Sequence, residues 1–357
     1  MKKKNVMGIC TAVCICLLIL WLLQALLMPK YMSESQEGAL IAEYYDEAGG
    51  NDVIFIGDCE VYENFSPITL YEEYGITSYI RGSAQQLIWQ SYYLMEETFK
   101  YETPKVMVFN VLSMKYDTPE STGNLKHREA YNRMNLDGMR WSMSKWNSIS
   151  ASLTEEEKEW GGNWSYIFPI LRYHDRWSQL SSEDFKYIFK RDEVSDNGYL
   201  MQVNVKPVTS EHVEKPIADY QFSENCWEYL DAMKELCEKH STKLVLIKAP
   251  SLSPVWWDQW DAQIEEYAKK NGLLYINFLD YQQEIGIDWN TDTYDTGLHL
   301  NVYGAEKLSS YFGKILKDEY DLEDHRNNED MSSQWTKKVN SYNERKKLLE
   351  DIRDNKN

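Results

Sequence analysis

Basic residues are scarce in this chain: 38 lysines and arginines stand against 57 aspartates and glutamates in 357 residues, a net charge of −19. Binding to a phosphate backbone draws on clustered Lys and Arg, so nucleic acid is excluded as a partner. Cysteine is thin as well. Of the six, Cys10, Cys14 and Cys16 lie in an apolar N-terminal run, and none follows the small residue that a lipoprotein signal requires; they read as apolar filler. Cys226 and Cys237 share one helix-patterned segment about three turns apart, beyond the ~7 Å Cα reach of a disulfide. Without a disulfide framework the fold must rest on core packing, for which the chain is long enough. That leaves Cys59.

A further absence marks the N-terminus. From Val6 to Met28 no residue is charged, while Lys2-Lys3-Lys4 precede the run and Lys30 follows it. The length suits a membrane-spanning helix, and the basic cluster predicts a cytoplasmic N-terminus with everything after Lys30 outside. No small-x-small cleavage site follows, so the segment reads as a retained anchor. Residues 31–50 read as a short stalk and one helix leading to the strand before Cys59.

Beyond it the sequence takes on a βα beat. Asp52-Val53-Ile54-Phe55-Ile56-Gly57 is an apolar run bounded by glycine, as in a buried parallel strand. A short helix is expected from Ser66-Pro67 to Gly75, then a strand at Ile76–Ile80, a helix over Ala84–Tyr101 and a strand at Val106–Val111. The beat stops for residues 113–223, which are polar, helical in pattern and rich in aromatics. An insertion of that length is usually a lid or a binding surface, and it is expected to pack over the carboxyl edge of the sheet. The beat resumes with a helix to His240, a strand at Lys243–Pro250, a helix to Asn271, a strand at Leu273–Phe278 and a last helix from Ala305 to Tyr320. These elements predict an α/β three-layer sandwich over residues 51–320, flavodoxin-like, with a central parallel sheet of about five strands. Residues 321–357, charged and poor in aliphatics, read as a solvated tail with one frayed helix.

In open α/β sheets chemistry gathers at the carboxyl ends of the strands. Cys59 follows the first strand, Gly82 the second, Asn110 ends the third, and Asp295 and His299 precede the last helix. Acyl transfer needs a nucleophile, a base, a group to orient the base and donors for the oxyanion. Cys59, His299 and Asp295 suit the first three roles, and Cys59 N–H, Gly82 N–H and the Asn110 amide suit the last.

Gly57-Asp58-Cys59 and the block Asp295-Thr296-Gly297-Leu298-His299-Leu300-Asn301 resemble the SGNH/GDSL hydrolase superfamily, whose Ser, Gly, Asn and His come from four blocks in this chain order. The resemblance spans about Asp52 to Tyr320 and is closest to membrane-anchored bacterial members of cell-envelope and exopolysaccharide systems, including relatives of the D-alanine-transfer and alginate-acetylation proteins. It implies an esterase or acyltransferase of the cytoplasmic membrane, its domain outside, acting on an acylated glycan or with an acyl-donor protein, without a cofactor. Three features depart from the family. Cys59 replaces the serine, Asn110 lacks the following Asp, and three residues rather than two separate Asp295 from His299, so Asp292 is an alternative orienter. Asp58 and Glu60 flank the thiol and disfavour thiolate. A non-catalytic glycan-binding or assembly protein on the same fold is therefore the alternative. Metal binding by Asp58, Cys59, Glu60, Asp295 and His299 is not expected, because a single thiolate among carboxylates suits no common metal.

Overall fold

The computed structural model describes residues 2–28, 37–188, 193–210 and 212–355. Five parallel strands, β1 (Val53–Gly57), β2 (Ser78–Gly82), β3 (Val106–Asn110), β4 (Lys243–Lys248) and β5 (Leu274–Asn277), lie in the order β2-β1-β3-β4-β5. Strand β1 pairs with β2 from Val53↔Ser78 to Gly57↔Gly82 and with β3 from Val53↔Val106. The order reverses after β1, so the loops leaving β1 and β3 diverge there and open a crevice at their carboxyl ends.

Alternation along the strands divides the core into two layers. Val53, Phe55, Val106, Val108, Val245 and Ile247 face one side, against α3 (Cys59–Asn64), α4 (Pro67–Tyr74) and α15 (Val302–Glu319). Ile54, Ile56, Met107, Phe109, Leu244 and Leu246 face the other, against α5 (Ile88–Thr98), α12 (Glu224–Lys239) and α13 (Asp258–Asn271). Helix α4 starts and stops at the expected signals: Ser66 Oγ accepts from Thr69 N, and Gly75 takes a left-handed φ of 70°.

An N-terminal helix, α1 (Lys2–Leu27), contains 22 residues from Val6 to Leu27 long and apolar enough to cross a membrane. Two expectations about the flanking regions are corrected. The stalk over 31–50 ends early, because α2 (Glu37–Glu47) buries Ile41, Tyr44 and Tyr45 in the second core layer. The start of that stretch, up to residue 36, lies outside the described residues.

The tail over 321–357 is likewise part of the folded unit. Helix α16 (Glu329–Asp354) seats Trp335, Val339, Tyr342 and Leu349 on the first core layer, with Trp335 stacked 4.7 Å from Tyr71 and Lys346 paired to Glu306 at 2.8 Å. Those apolar residues recur at helical spacing, and the charges between them form the outer face.

The insertion over 113–223 packs partly on the flank of the sheet and partly at its carboxyl edge. Helices α6 (Leu125–Leu136) and α7 (Met143–Ser152) bury Leu136 and Ile149 in the second core layer beside α5. Gln90 and Trp89 of α5 both donate to Ser152 Oγ, and Lys100 donates to Ser144 Oγ, so α7 lies lengthwise along α5 on the flank. Amphipathic helices this short are held by the apolar face they bury, and α5 offers that face. At the carboxyl edge, Asn135 Nδ2 of α6 donates to Ser83 Oγ at 2.9 Å and Gln85 meets Tyr116 and His127, while in the return segment Lys206 N donates to Thr293 O and Thr296 N donates to Lys206 O.

Candidate active site

Gly57 sets the tightness of the turn after β1. A Cβ there would lie 2.4 Å from Val61 Cγ2 and 3.0 Å from Asn110 Cβ, so only glycine lets α3 fold back this closely over β3. Asp58 then caps α3, its Oδ1 accepting from Glu60 N at 3.2 Å. Cys59 becomes the first helical residue, half-buried at the crevice. One turn later, on the same side, stands Glu63.

His299 comes from the turn before α15. Thr293 Oγ1 donates to His299 O and accepts from Gly297 N, both at 2.8 Å, while Thr296 and Gly297 take left-handed φ of 70° and 93°. The turn folds Asp295 back onto the histidine: Oδ1 accepts from His299 N at 2.9 Å and Oδ2 accepts from Nδ1 at 2.7 Å. Glu63 Oε2 lies 3.2 Å from the same nitrogen and accepts a short hydrogen bond from Tyr294 OH, whose ring lies parallel to the imidazole. Between two carboxylates, Nδ1 carries the proton. Nε2 is buried without a well-formed hydrogen bond, and the Cys59 thiol is the group with which the imidazole interacts.

The electrostatics of the pair follow from these neighbours. Burial pushes the Cys59 thiol up, and Asp58 and Glu63 push the same way; His299 draws it down by charge and hydrogen bonding without reversing the shift. Burial opposes a charge on His299, but Cys59, Asp295 and Glu63 outweigh it and hold the imidazole well above its ordinary value. Burial also opposes the charge on Asp295, which the hydrogen bonds and charge of His299 nevertheless keep below the usual carboxylate range. The two shifts belong to one coupled pair, since the imidazole is raised chiefly by the charge of a thiolate and the thiol is lowered by the charge of an imidazolium.

The other expected residues stand as follows. Asp292 is not the orienter: it is buried, accepts from Asp288 N at 2.8 Å and pairs with Lys307 at 2.7 Å. Gly82 sits against the elbow, where a Cβ would meet Tyr62 Cδ1 at 3.0 Å and Gly57 O at 3.1 Å. Asn110 is corrected as an oxyanion donor. Its amide donates to Asp58 Oδ1 at 3.2 Å and to Glu60 Oε2 at 3.0 Å, and its Oδ1 accepts from Ala249 N at 3.0 Å. With both protons engaged and the side chain buried, it ties β3, α3 and the end of β4 together.

Glu60, expected to burden the thiol, turns away into a fully buried pair with Lys248, whose Nζ lies 2.9 Å from both carboxylate oxygens. The charge that remains on the thiol's flank is that of Asp58, raised to about 6 by burial and by Glu60, together with that of Glu63.

Sequence reasoning missed Glu63, Tyr294 and Lys248. Glu63 had a signal, the i, i+4 spacing from Cys59 on a helix that begins at the thiol; Lys248 had a weaker one, a lysine closing an apolar strand. Glu63, Asp295 and His299 also bring possible metal-ligand atoms within 4.8 Å of one another, a different set from the five residues weighed on the sequence.

No protein-family profile matches the chain, and no curated protein matches it in sequence. Among solved structures it is similar to one from Bacteroides fragilis NCTC 9343 provisionally assigned as an acylhydrolase, at 12% identity over 78% of this chain and 94% of that one, with a TM-score of 0.37. It is also similar to a GDSL-like lipase from Bacteroides thetaiotaomicron VPI-5482, at 13% identity over 79% of this chain and 100% of that one, with the same TM-score of 0.37. The chain's own topology has strand order 2-1-3-4-5, Gly57-Asp58-Cys59 at the end of β1 and Asp295 with His299 before the last sheet-packed helix. The fold is a three-layer α/β sandwich around this five-stranded parallel sheet.

Proposed function

We propose that the protein is an acyl-transferring enzyme, an esterase or acyltransferase, with Cys59 as nucleophile, His299 as base and Asp295 as orienter. The observation that carries this reading is the 2.7 Å bond from His299 Nδ1 to Asp295, which leaves Nε2 for the thiol. Transfer of the thiol proton to Nε2 yields a thiolate beside an imidazolium. The thiolate attacks the acyl carbonyl; the oxyanion is held by the backbone N–H groups of Cys59 and Gly82, since Asn110 is engaged elsewhere. Collapse expels the alcohol, which takes the proton from Nε2 and leaves an acyl-Cys59 thioester. Water or a sugar hydroxyl then gives its proton to Nε2 as it attacks the thioester, and the expelled thiolate takes that proton back, returning the thiol and the neutral imidazole.

The setting completes the proposal. Lys2, Lys3 and Lys4, ahead of the apolar run, support a cytoplasmic N-terminus with the domain outside a bacterial membrane, and acylated envelope or secreted polysaccharide is the substrate class that this orientation favours. The upward shift of the thiol favours a second reading, a glycan-binding or assembly protein that has lost turnover on the same fold.

Intact-mass analysis after incubation with an activated acetyl ester separates the two. The enzyme gains one acetyl group at Cys59, whereas a binding protein gains none there. Asp295→Asn should slow this acylation by on the order of 10²- to 10⁴-fold, because the imidazole loses the partner that fixes its tautomer. Asp292→Asn should leave the rate unchanged, since Asp292 holds Lys307 and a turn rather than the histidine.

A further inference from the structure

Outside α1, the large exposed apolar side chains among the described residues are concentrated on the insertion. Trp141 is 63% exposed, Trp177 62% and Phe185 56%, and Trp164, Phe168 and Leu171 are close to half exposed or more. Four of the rings form a connected row: Trp141 lies 6.4 Å from Trp146, Trp146 lies 5.8 Å from Trp164, and Trp164 stacks on Phe168 at 6.1 Å. An apolar row of this extent on a soluble face is a liability unless something covers it.

Its position says what covers it. The short helices α10 (Ile170–Tyr173) and α11 (Ser182–Lys186) pack against the end of α1, and Arg176 Nη1 donates to Leu27 O at 2.9 Å. Gln24 and Met28 of the anchor segment join Trp141, Trp146, Trp164 and Phe168 around one cavity of about 740 Å³. A 22-residue apolar helix is ~33 Å long, just enough to cross the ~30 Å hydrocarbon core, so its last turn stands at the membrane surface. The aromatic row shares that level. Arg140, Arg172 and Lys186 stand near it, each paired with an acid (Asp46, Glu129 and Glu183), so the row is bordered by charge of both signs, and exposed Trp and Phe at this level are what an interfacial surface presents to lipid.

We infer that the aromatic face of the insertion is bedded in the same membrane that α1 crosses, and that its cavity takes an acyl chain of a bilayer phospholipid. The inference rests on α1 spanning the membrane, and it is independent of chemistry at Cys59. The insertion then acts as a foot that fixes the tilt of the domain on the bilayer.

The test uses the full chain in vesicles of phosphatidylcholine and phosphatidylglycerol, with or without bromine in the upper acyl chain. Trp141→Phe/Trp164→Phe keeps an apolar face but removes two emitters, so the difference from wild type isolates their fluorescence. Brominated lipid should quench that difference by at least about half, with little response to aqueous iodide, as expected of rings at the headgroup boundary. Emission quenched by iodide and untouched by brominated lipid would mean that the face meets water, a glycan or a soluble protein, and would overturn the inference. If the double variant changes the near-ultraviolet circular dichroism of the domain, Trp141→Phe alone gives the same reading.

Discussion

Cys59→Ala should abolish turnover and leave no residue to carry the acyl group. No other described thiol can substitute, because Cys226 and Cys237 are buried in the second core layer, on helix α12, and Cys10, Cys14 and Cys16 lie in α1. Cys59→Ser should retain a fraction of the activity. A hydroxyl occupies the same first helical position, but it depends more heavily on His299 to remove its proton. The comparison is made by steady-state hydrolysis of an aryl acetate together with intact mass. Full activity in Cys59→Ala would remove the thiol from the mechanism.

Lys248→Met should be the most damaging substitution for stability outside the apolar core. Lys248 and Glu60 are both buried, and the ammonium also donates to Ala249 O at 2.6 Å and Ser251 Oγ at 3.1 Å. Deleting the cation leaves Glu60 as an uncompensated charge beneath the β1–α3 turn, which costs about 3–5 kcal/mol. For a domain of this size that is roughly a 10 °C fall in Tm. The double change Glu60→Gln/Lys248→Met should recover most of the loss, because no charge is then stranded and the neutral amide that replaces the carboxylate can still meet Asn110 and Ser251. Thermal unfolding of the detergent-solubilised chain reads both. A single variant as stable as wild type would show that water reaches the pair.

The contrast between these two positions explains what the sequence disclosed. Cys59, Asp295 and His299 were legible because each lies in a short segment whose local pattern fixes it: an apolar strand ending in Gly57, and an Asp-containing turn ahead of a helix. Lys248 and Glu60 are 188 residues apart, and only the pairing of β4 with β3 brings them together. Asn110 was placed at the correct edge but given the wrong task, because a strand's last residue can point into the crevice or across to its neighbour. Here the backbone of Ala249 and the two acids of the β1–α3 turn decide that direction. The tail misled for another reason. Its apolar positions are spaced by helical turns among lysines and glutamates, so composition hides the face that Trp335 and Tyr342 bury. The helices of the insertion were visible as a pattern, but the surface they pack on depends on which face of α5 remains open once the sheet has formed.

The central claim is that His299 activates Cys59, and the rate of alkylation of Cys59 by iodoacetamide against pH tests it most directly. His299 pulls the thiol pKa down by charge and by hydrogen bonding, in opposition to burial and to Asp58. Removing the imidazole should therefore move the ionisation to higher pH and slow alkylation near neutrality by at least ~10-fold, the effect of one unit of pKa. The account predicts a wild-type profile whose midpoint lies below that of His299→Ala, with both proteins reaching the same rate in strong alkali. Superimposable profiles with midpoints at or above the free-thiol value near ~8.5 would contradict it.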